Sequence, residues 1–450
     1  METNTKELPK VKGHWLFQNS MEIKENILGF VQKYRPQYGN YFRADTIAQD
    51  ICFITDPDGV KHVLQENNRN YTKSFGYEIL KMFLGEGLLT SEGDFWRKQR
   101  RLAQPAFHKE RLAKITKEMA ASAEQMSENW EKLSENGKAV NVLHQMNEIT
   151  LDIVAKSLFG ADVGANLEDI RNAITITNEY AMKRIVQLVR LPLWIPTPAI
   201  RKYNKAARKL NDIIFGIIEK RRKNQAEHPD LLSMLMAAVD EETNEGMDDQ
   251  QLRDEAMTIF IAGHETTAIA LFWIWYLLAK HPEVEKKLHE ELSAVLGDQQ
   301  PSYEHIPRLK YTRQVIDESM RLYPPAWMVG RRPIKDDVIG GYQVPKGINV
   351  LMCTFDIHRH PDYWENPEEF NPERFSEENV KKIKKYAYFP FGGGPRLCIG
   401  NNFALMEAQI IVATLAQKFK LKLASEKHPE MEPLITLRPK GEIEMVIEKR

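Results

Sequence analysis

A single helical stretch in the second half of the chain restricts the fold more than any other feature. Asp248 and Gln251 form a D-x-x-Q capping-box pattern, in which each side chain can satisfy a backbone N–H at the helix start. The helical pattern then runs past Phe260 and Tyr276 to a stop at His281-Pro282. About 33 residues at roughly 1.5 Å each give a rod of about 50 Å, long enough to cross the molecule. Its second half, Ala268 to Ala279, is apolar on nearly every face, so other elements must wrap it. That run is shorter than the ~18–20 residues a bilayer span needs. The first part of the chain is polar and charged, without an apolar core of signal-peptide length. We therefore expect a buried central helix, no membrane anchor and a cytoplasmic protein.

The rest of the pattern is helix with a minor strand component. Residues 106–135, 140–160 and 200–225 carry apolar positions at three- and four-residue spacing. Asn40-Tyr41-Phe42-Arg43 and Ile51-Cys52-Phe53-Ile54-Thr55 suggest a hairpin. Asp337 to Met352 reads as three strands broken at Gly340-Gly341 and at Pro345-Lys346-Gly347. No Gly/Ser- or Pro-rich linker divides the chain, and no repeat recurs, so residues 1–450 are expected to form one domain, mainly α with a small β-rich lobe. With 62 Lys+Arg against 63 Asp+Glu, a sustained positive excess for nucleic acid is absent. Three cysteines, Cys52, Cys353 and Cys398, are too few and odd in number for a disulfide framework, which suits a reducing compartment.

The chemistry concentrates in Phe391-Gly392-Gly393-Gly394-Pro395-Arg396-Leu397-Cys398-Ile399-Gly400. Glycines there would let the backbone approach something large and flat. Cys398 lies just before a helix N-terminus, where the dipole and free N–H groups favour a thiolate. A thiolate so placed is a good axial ligand for haem iron. A lone Cys is usually a small buried hydrophobe, and that reading is kept for Cys52 and Cys353. The pattern F-x-x-G-x-R-x-C-x-G sets Cys398 apart, because its four flanking matches arise by chance about once in 10⁵ cysteines.

That pattern resembles the haem-binding signature of the cytochrome P450 family, and three further motifs follow the family's order. Ala262-Gly263-His264-Glu265-Thr266-Thr267 resembles its oxygen-activation motif. Ala262 and Gly263 would leave room over the haem, the Thr266 hydroxyl could bond out of the helical ladder, and Glu265 could relay protons. His264-Glu265 also begins an H-E-x-x-H zinc motif, but Ala268 stands where the second His is needed. Glu318 and Arg321, read with Pro372-Glu373-Arg374-Phe375, resemble the family's buried Glu–Arg–Arg network, a structural device. Trp96 and Arg100 resemble its haem-propionate pair; Arg396 should act likewise, with Arg331 or Arg332 a candidate and His358 a weaker one.

The resemblance implies a triangular prism with the long helix over the haem, haem b bound through Cys398, and contacts from Phe391, Gly392, Gly400 and Ala262. The activity implied is monooxygenation: dioxygen and two externally supplied electrons hydroxylate or epoxidise a hydrophobic substrate, with Glu265 and Thr266 handling protons. No G-x-G-x-x-G serves a flavin or nicotinamide, so an external ferredoxin or flavodoxin with its reductase is expected. Lys381, Lys382, Lys384, Lys385, Arg97, Lys98 and Arg101 are candidates for docking an acidic carrier. Parts of Phe75 to Leu89, Ala262, Gly263, Ala326 to Val329 and Leu434 to Thr436 would line the pocket, pointing to a fatty acid, terpenoid or similar lipid. The sequence looks closer to fatty-acid-type members, and to soluble bacterial ones. A peroxide-using hydroxylase or isomerase and a non-catalytic haem sensor are the alternatives.

Overall fold

The computed structural model describes residues 5–160, 167–187, 192–223, 230–425 and 428–450. The central helix occupies Asp249–Lys280, and both halves of its capping box form. The Asp248 carboxylate accepts from the Gln251 N–H at 2.8 Å, and the Gln251 amide oxygen accepts from the Asp248 N–H at 3.3 Å. Pro282 ends it and opens the next helix, Pro282–Leu296, where a missing N–H costs nothing. By length and composition this helix could cross a bilayer, but most of its apolar window is buried inside the fold, as a core helix requires.

Neighbouring helices form the wrapping. Val142–Phe159 packs along the central helix, and Lys109–Glu135 packs on Asn401–Lys418 behind it. Trp275 meets Trp130 with ring centroids 5.5 Å apart, while Trp273 stacks on Tyr323 at 3.9 Å. The Trp273 indole N–H donates to the Leu437 carbonyl at 3.1 Å, so even the apolar half carries a satisfied polar anchor. The three helices expected from periodicity are observed as Lys109–Glu135, Val142–Phe159 and Pro198–Lys223. Positions 224 and 225 of the third lie outside the described residues.

The β component is a five-stranded sheet and three smaller ones. Its order is Tyr41–Ala44, Ile51–Ile54, Asn349–Met352, Val329–Pro333, Tyr71–Lys73. The first pair is the expected antiparallel hairpin. All three strands read in Asp337 to Met352 form, with Gly340 and Gly341 at φ 58° and 82° supplying the turn. The third strand leaves its hairpin, however, and pairs in parallel with Ile51–Ile54, Ile51 opposite Asn349. A separate apolar cluster including Cys52, Ile54, Val350 and Met352 forms the core of this lobe. Cys52 and Cys353 are buried core residues, and burial pushes the Cys52 thiol up to about 12.

The Glu318–Arg321 pair ties the helix Lys310–Leu322 to the segment from His358 to Arg374. Both side chains are fully buried, and Arg321 Nε and Nη2 grip the two Glu318 oxygens at 2.7 and 2.9 Å. Arg374 Nε stands 3.4 Å from Glu318 Oε1, completing one carboxylate and two guanidinium groups.

Candidate active site

The cysteine loop reaches its helix by a short turn. The helix Asn401–Lys418 starts three residues after Cys398, with Gly400 as its cap. The Cys398 N–H donates to the Phe391 carbonyl at 3.0 Å and closes the loop. Cys398 lies deep in the fold, yet its own surface is open to a cavity of about 220 Å³ shared with Arg100, Phe107, His108 and Asn402. Burial raises the thiol above its ordinary value, while the Gly400 N–H and the Arg100 charge pull it down. Burial is the largest of these effects. The two opposing groups are nonetheless those that would stabilise a sulfur anion once a cation sits beside it.

The glycines divide differently from the expectation. A Cβ on Gly394, at φ 64°, would lie 1.8 Å from the Leu64 carbonyl oxygen, and one on Gly393 would strike the Tyr386 ring. Close protein packing therefore explains two of the three. Only Gly392, at φ 74° with open space beside it, suits approach by a separate group.

Above the loop, cations outnumber carboxylates. The Arg396 guanidinium lies 3.8 Å over the Trp96 ring, donating to the Ser91 carbonyl at 2.8 Å and to Glu92 Oε2 at 2.5 Å. Arg331, buried on the adjoining strand, and Lys73 share its field. Burial first, then Arg331 and Arg396, push the Lys73 amine well below its ordinary value; burial holds Arg396 at about 10. Two guanidinium groups, with the Lys73 amine beside them, thus face one carboxylate, Glu92. A group bringing two carboxylates, as the haem propionates would, restores the balance. The residues present fit haem b on that ground.

Other candidates separate from this cluster. Arg100 donates to the Leu397 carbonyl at 2.9 Å, on the cysteine side. Arg332 binds Glu78 and Gln49, both at 3.2 Å, which leaves Arg331 as the arginine of that pair that fits. His358 is a correction: it is fully buried, its Nε2 accepts from the Phe389 N–H at 2.9 Å, and burial drives its imidazole down to about 3. It is a neutral core histidine.

On the central helix, buried residues flank a short interruption. Ala262 is exposed, while Gly263, Glu265 and Thr266 are half-buried. Thr266 Oγ1 donates to the Ala262 carbonyl at 2.6 Å, a side-chain bond one turn back along the helix. Glu265 points elsewhere, accepting from Asn178 Nδ2 at 2.8 Å and Thr436 Oγ1 at 2.9 Å. Burial raises its carboxyl above the ordinary range, against the pull of Thr436, Arg438 and Asn178. Successive helical residues diverge by about 100°, so a direct Glu265–Thr266 contact is not built in.

The pocket wall also differs in part from expectation. Trp327 is occupied in a satellite cluster with Leu28, Phe355 and Leu437, and its indole donates to the Leu434 carbonyl. The Gly85–Thr90 segment is fixed by two carboxylates of the central helix: Asp254 accepts the Glu86 N–H at 2.7 Å, and Glu255 the Leu88 N–H at 3.0 Å. Sequence reasoning missed Lys73, Glu92, Asn178, Asp254 and Glu255. Each is a single polar residue whose partner comes from a distant element, so no local pattern marks it.

The cytochrome P450 family model matches residues 8–445. The chain is 36% identical to cyclooctat-9-en-7-ol 5-monooxygenase of Streptomyces melanosporofaciens, over 81% of this chain and 79% of that protein. It is 35% identical to cyclooctatin synthase of the same organism, over 92% and 90%. The crystal structure of the cytochrome P450DA heme domain superposes with a TM-score of 0.90 at 28% identity, covering 99% of this chain and 98% of that one. The mainly helical fold with smaller sheets around one long helix is therefore the one the resemblance implied, and the motifs stand in the family's order along it. The chain belongs to the cytochrome P450 family.

Proposed function

We propose that the protein is a haem-thiolate monooxygenase for a hydrophobic, ring-containing terpenoid, supplied with electrons by a separate ferredoxin or flavodoxin in the cytoplasm. The observation that carries the reading is the excess of guanidinium groups, Arg331 and Arg396 against Glu92, on the same loop and adjoining strand as an exposed Cys398. Haem b, when bound, supplies dioxygen activation with two electrons and two protons. The chain's own residues do the rest. Cys398 would hold the iron, Arg331 and Arg396 the propionates, with Trp96 under the latter. Thr266 Oγ would hold a proton next to Ala262, and Glu265 would take protons from the Thr436–Arg438 side. Asp254 and Glu255 fix one wall. The terpenoid choice over a fatty acid rests on relatives named for cyclic substrates, cyclooctat-9-en-7-ol and 11-oxo-beta-amyrin.

The basic docking face is smaller than the sequence suggests. Arg97, Lys98 and Arg101 are paired with Asp94, Glu245 and the Asp240/Glu242 pair. Lys382 pairs with Glu378 and Lys384 with Asp58, so among the described residues Lys381 and Lys385 are the two of this group without a close ion pair. We expect oxidation of a cyclic terpenoid alcohol with NADPH, ferredoxin and ferredoxin reductase. Lys381→Glu with Lys385→Glu should slow it several-fold and flatten its salt dependence, measured as reduction rate against ionic strength. Turnover with peroxide alone would favour the peroxygenase, and gas binding without turnover by any donor would favour a sensor.

A further inference from the structure

The helix that follows the cysteine loop carries one misfit. Glu407 is the only acidic residue of Asn401–Lys418, set among Leu405, Met406, Ala408, Ile410 and Ile411, and it is fully buried. Charged groups so placed are normally paired. Glu318 shows the normal case, held by Arg321 and Arg374. Among the described residues Glu407 has no ion pair, and neither carboxyl oxygen has a direct hydrogen-bond partner. An ionised carboxylate would not persist there, so the group is kept as the neutral acid. Burial raises its carboxyl well above the ordinary range, and Thr267 is the group that pulls it back.

Thr267 lies across the interface on the central helix, 3% exposed, and its Oγ1 is also without a direct partner among the described residues. The two helices continue side by side, since Trp130 meets both Trp275 and Phe419 further along. A buried water needs roughly two to four polar partners, and Glu407 Oε1, Glu407 Oε2 and Thr267 Oγ1 supply them. Bare polar atoms in an apolar seam are costly, and water-bridged ones are not. The neighbours of the pair give the seam its meaning. Glu407 belongs to the helix that starts three residues after Cys398, and Thr267 directly follows Thr266. Successive helical residues diverge by about 100°, so Thr267 points about 200° away from Glu265. Glu265 is tied to Asn178 and Thr436 on its own side. The turn bearing Thr266 is thus held by Glu265 on one side and meets the cysteine helix on the other.

We propose that Glu407 and Thr267 bind a buried water between them, and that this link positions the Thr266 turn relative to Cys398. Glu407 is then a positioning residue for oxygen activation that acts through Thr267. It works as a neutral hydrogen-bonding group, and no proton leaves it. The positioning role rests on the haem-thiolate reading; the water site does not.

The water site is tested by a crystal structure of the holoprotein and by the infrared spectrum of wild type minus Glu407→Gln. We expect density for a water within hydrogen-bond reach of both side chains, and the C=O stretch of one protonated acid at neutral pH. A dry gap, or ionised-carboxylate bands alone, would overturn the proposal. The infrared result can be read even if the carbon monoxide spectrum shows no thiolate-bound haem, so the two readings fail separately. Positioning is read as product formed per dioxygen consumed. Glu407→Leu should lower it about tenfold, less than a displacement of roughly 1 Å can cost, with haem spectrum and melting midpoint near wild type. Glu407→Gln, neutral and able to hydrogen-bond, should recover most of that loss. Thr267→Val, of nearly the same shape, should reproduce the leucine effect and serves if Glu407→Leu folds poorly. Wild-type coupling in Thr267→Val, or a glutamine variant as impaired as the leucine one, would reduce the pair to packing and overturn its role.

Discussion

Arg321→Ala is expected to leave little folded protein. The guanidinium is fully buried and its donors reach five acceptors: both Glu318 oxygens and the carbonyls of His358, Pro367 and Glu369, at 2.7 to 2.9 Å. Glu318 Oε1 also accepts the Asn371 N–H at 2.9 Å. Removing the cation takes the donors from three carbonyls and leaves the buried Glu318 with only Arg374 and the Asn371 N–H, a loss of about 3–5 kcal/mol. Net stabilities of whole proteins are about 5–15 kcal/mol, so most of the margin goes. Arg321→Lys should rescue poorly, because one ammonium cannot reproduce the fork that grips two oxygens and three carbonyls. Soluble yield, haem content and thermal midpoint would all fall together. A folded, haem-loaded Arg321→Ala protein would show that the network is dispensable.

Glu265→Gln should have the opposite character, sparing the fold and lowering turnover. The amide keeps the size: its oxygen can accept from Asn178 Nδ2, and its NH2 can donate to Thr436 Oγ1, a hydroxyl that also accepts. What it loses is a titratable proton, and a positioned acid is worth about 10²–10⁴-fold. We expect product formation to fall about 10²-fold with the haem spectrum intact. The sign of the pH dependence follows from burial, which raises the Glu265 carboxyl. The protonated donor form is present at low pH and is lost as pH rises through that raised value, so wild-type turnover should decline on the alkaline side. The Gln variant should lack this limb. Thr266→Ala should instead uncouple oxygen consumption from product, because the group lost is the hydroxyl bonded to the Ala262 carbonyl. An unaltered pH profile in Glu265→Gln would remove that residue from the proton route.

The elements that could be read in the chain are those whose signals are local. The Asp248–Gln251 box, the Pro282 stop and the Gly340-Gly341 turn each act within a few residues, and each forms as expected. The parallel pairing of Ile51–Ile54 with Asn349–Met352 was not legible, because register between strands some 300 residues apart has no local trace. The site divides the same way. Cys398 and its flanking motif are contiguous, whereas the cation excess needs Glu92, Arg331 and Arg396 from three separate segments. The glycine loop misled for a related reason. Conformational freedom at Gly393 and Gly394 was visible, but not that Tyr386 and Leu64 are what approach them. Likewise, Glu265 was legible as an acid, and its hold on Asn178 and Thr436 was not.

The central claim is that Cys398 holds a haem iron as thiolate, and the carbon monoxide difference spectrum of the reduced protein tests it most directly. Wild type should show the strongly red-shifted Soret band of thiolate-ligated haem, and Cys398→Ser should lose it. A wild-type band at the position of histidine-ligated haem, or a protein that takes up no haem, would contradict the account and leave Cys398 an ordinary residue of the loop.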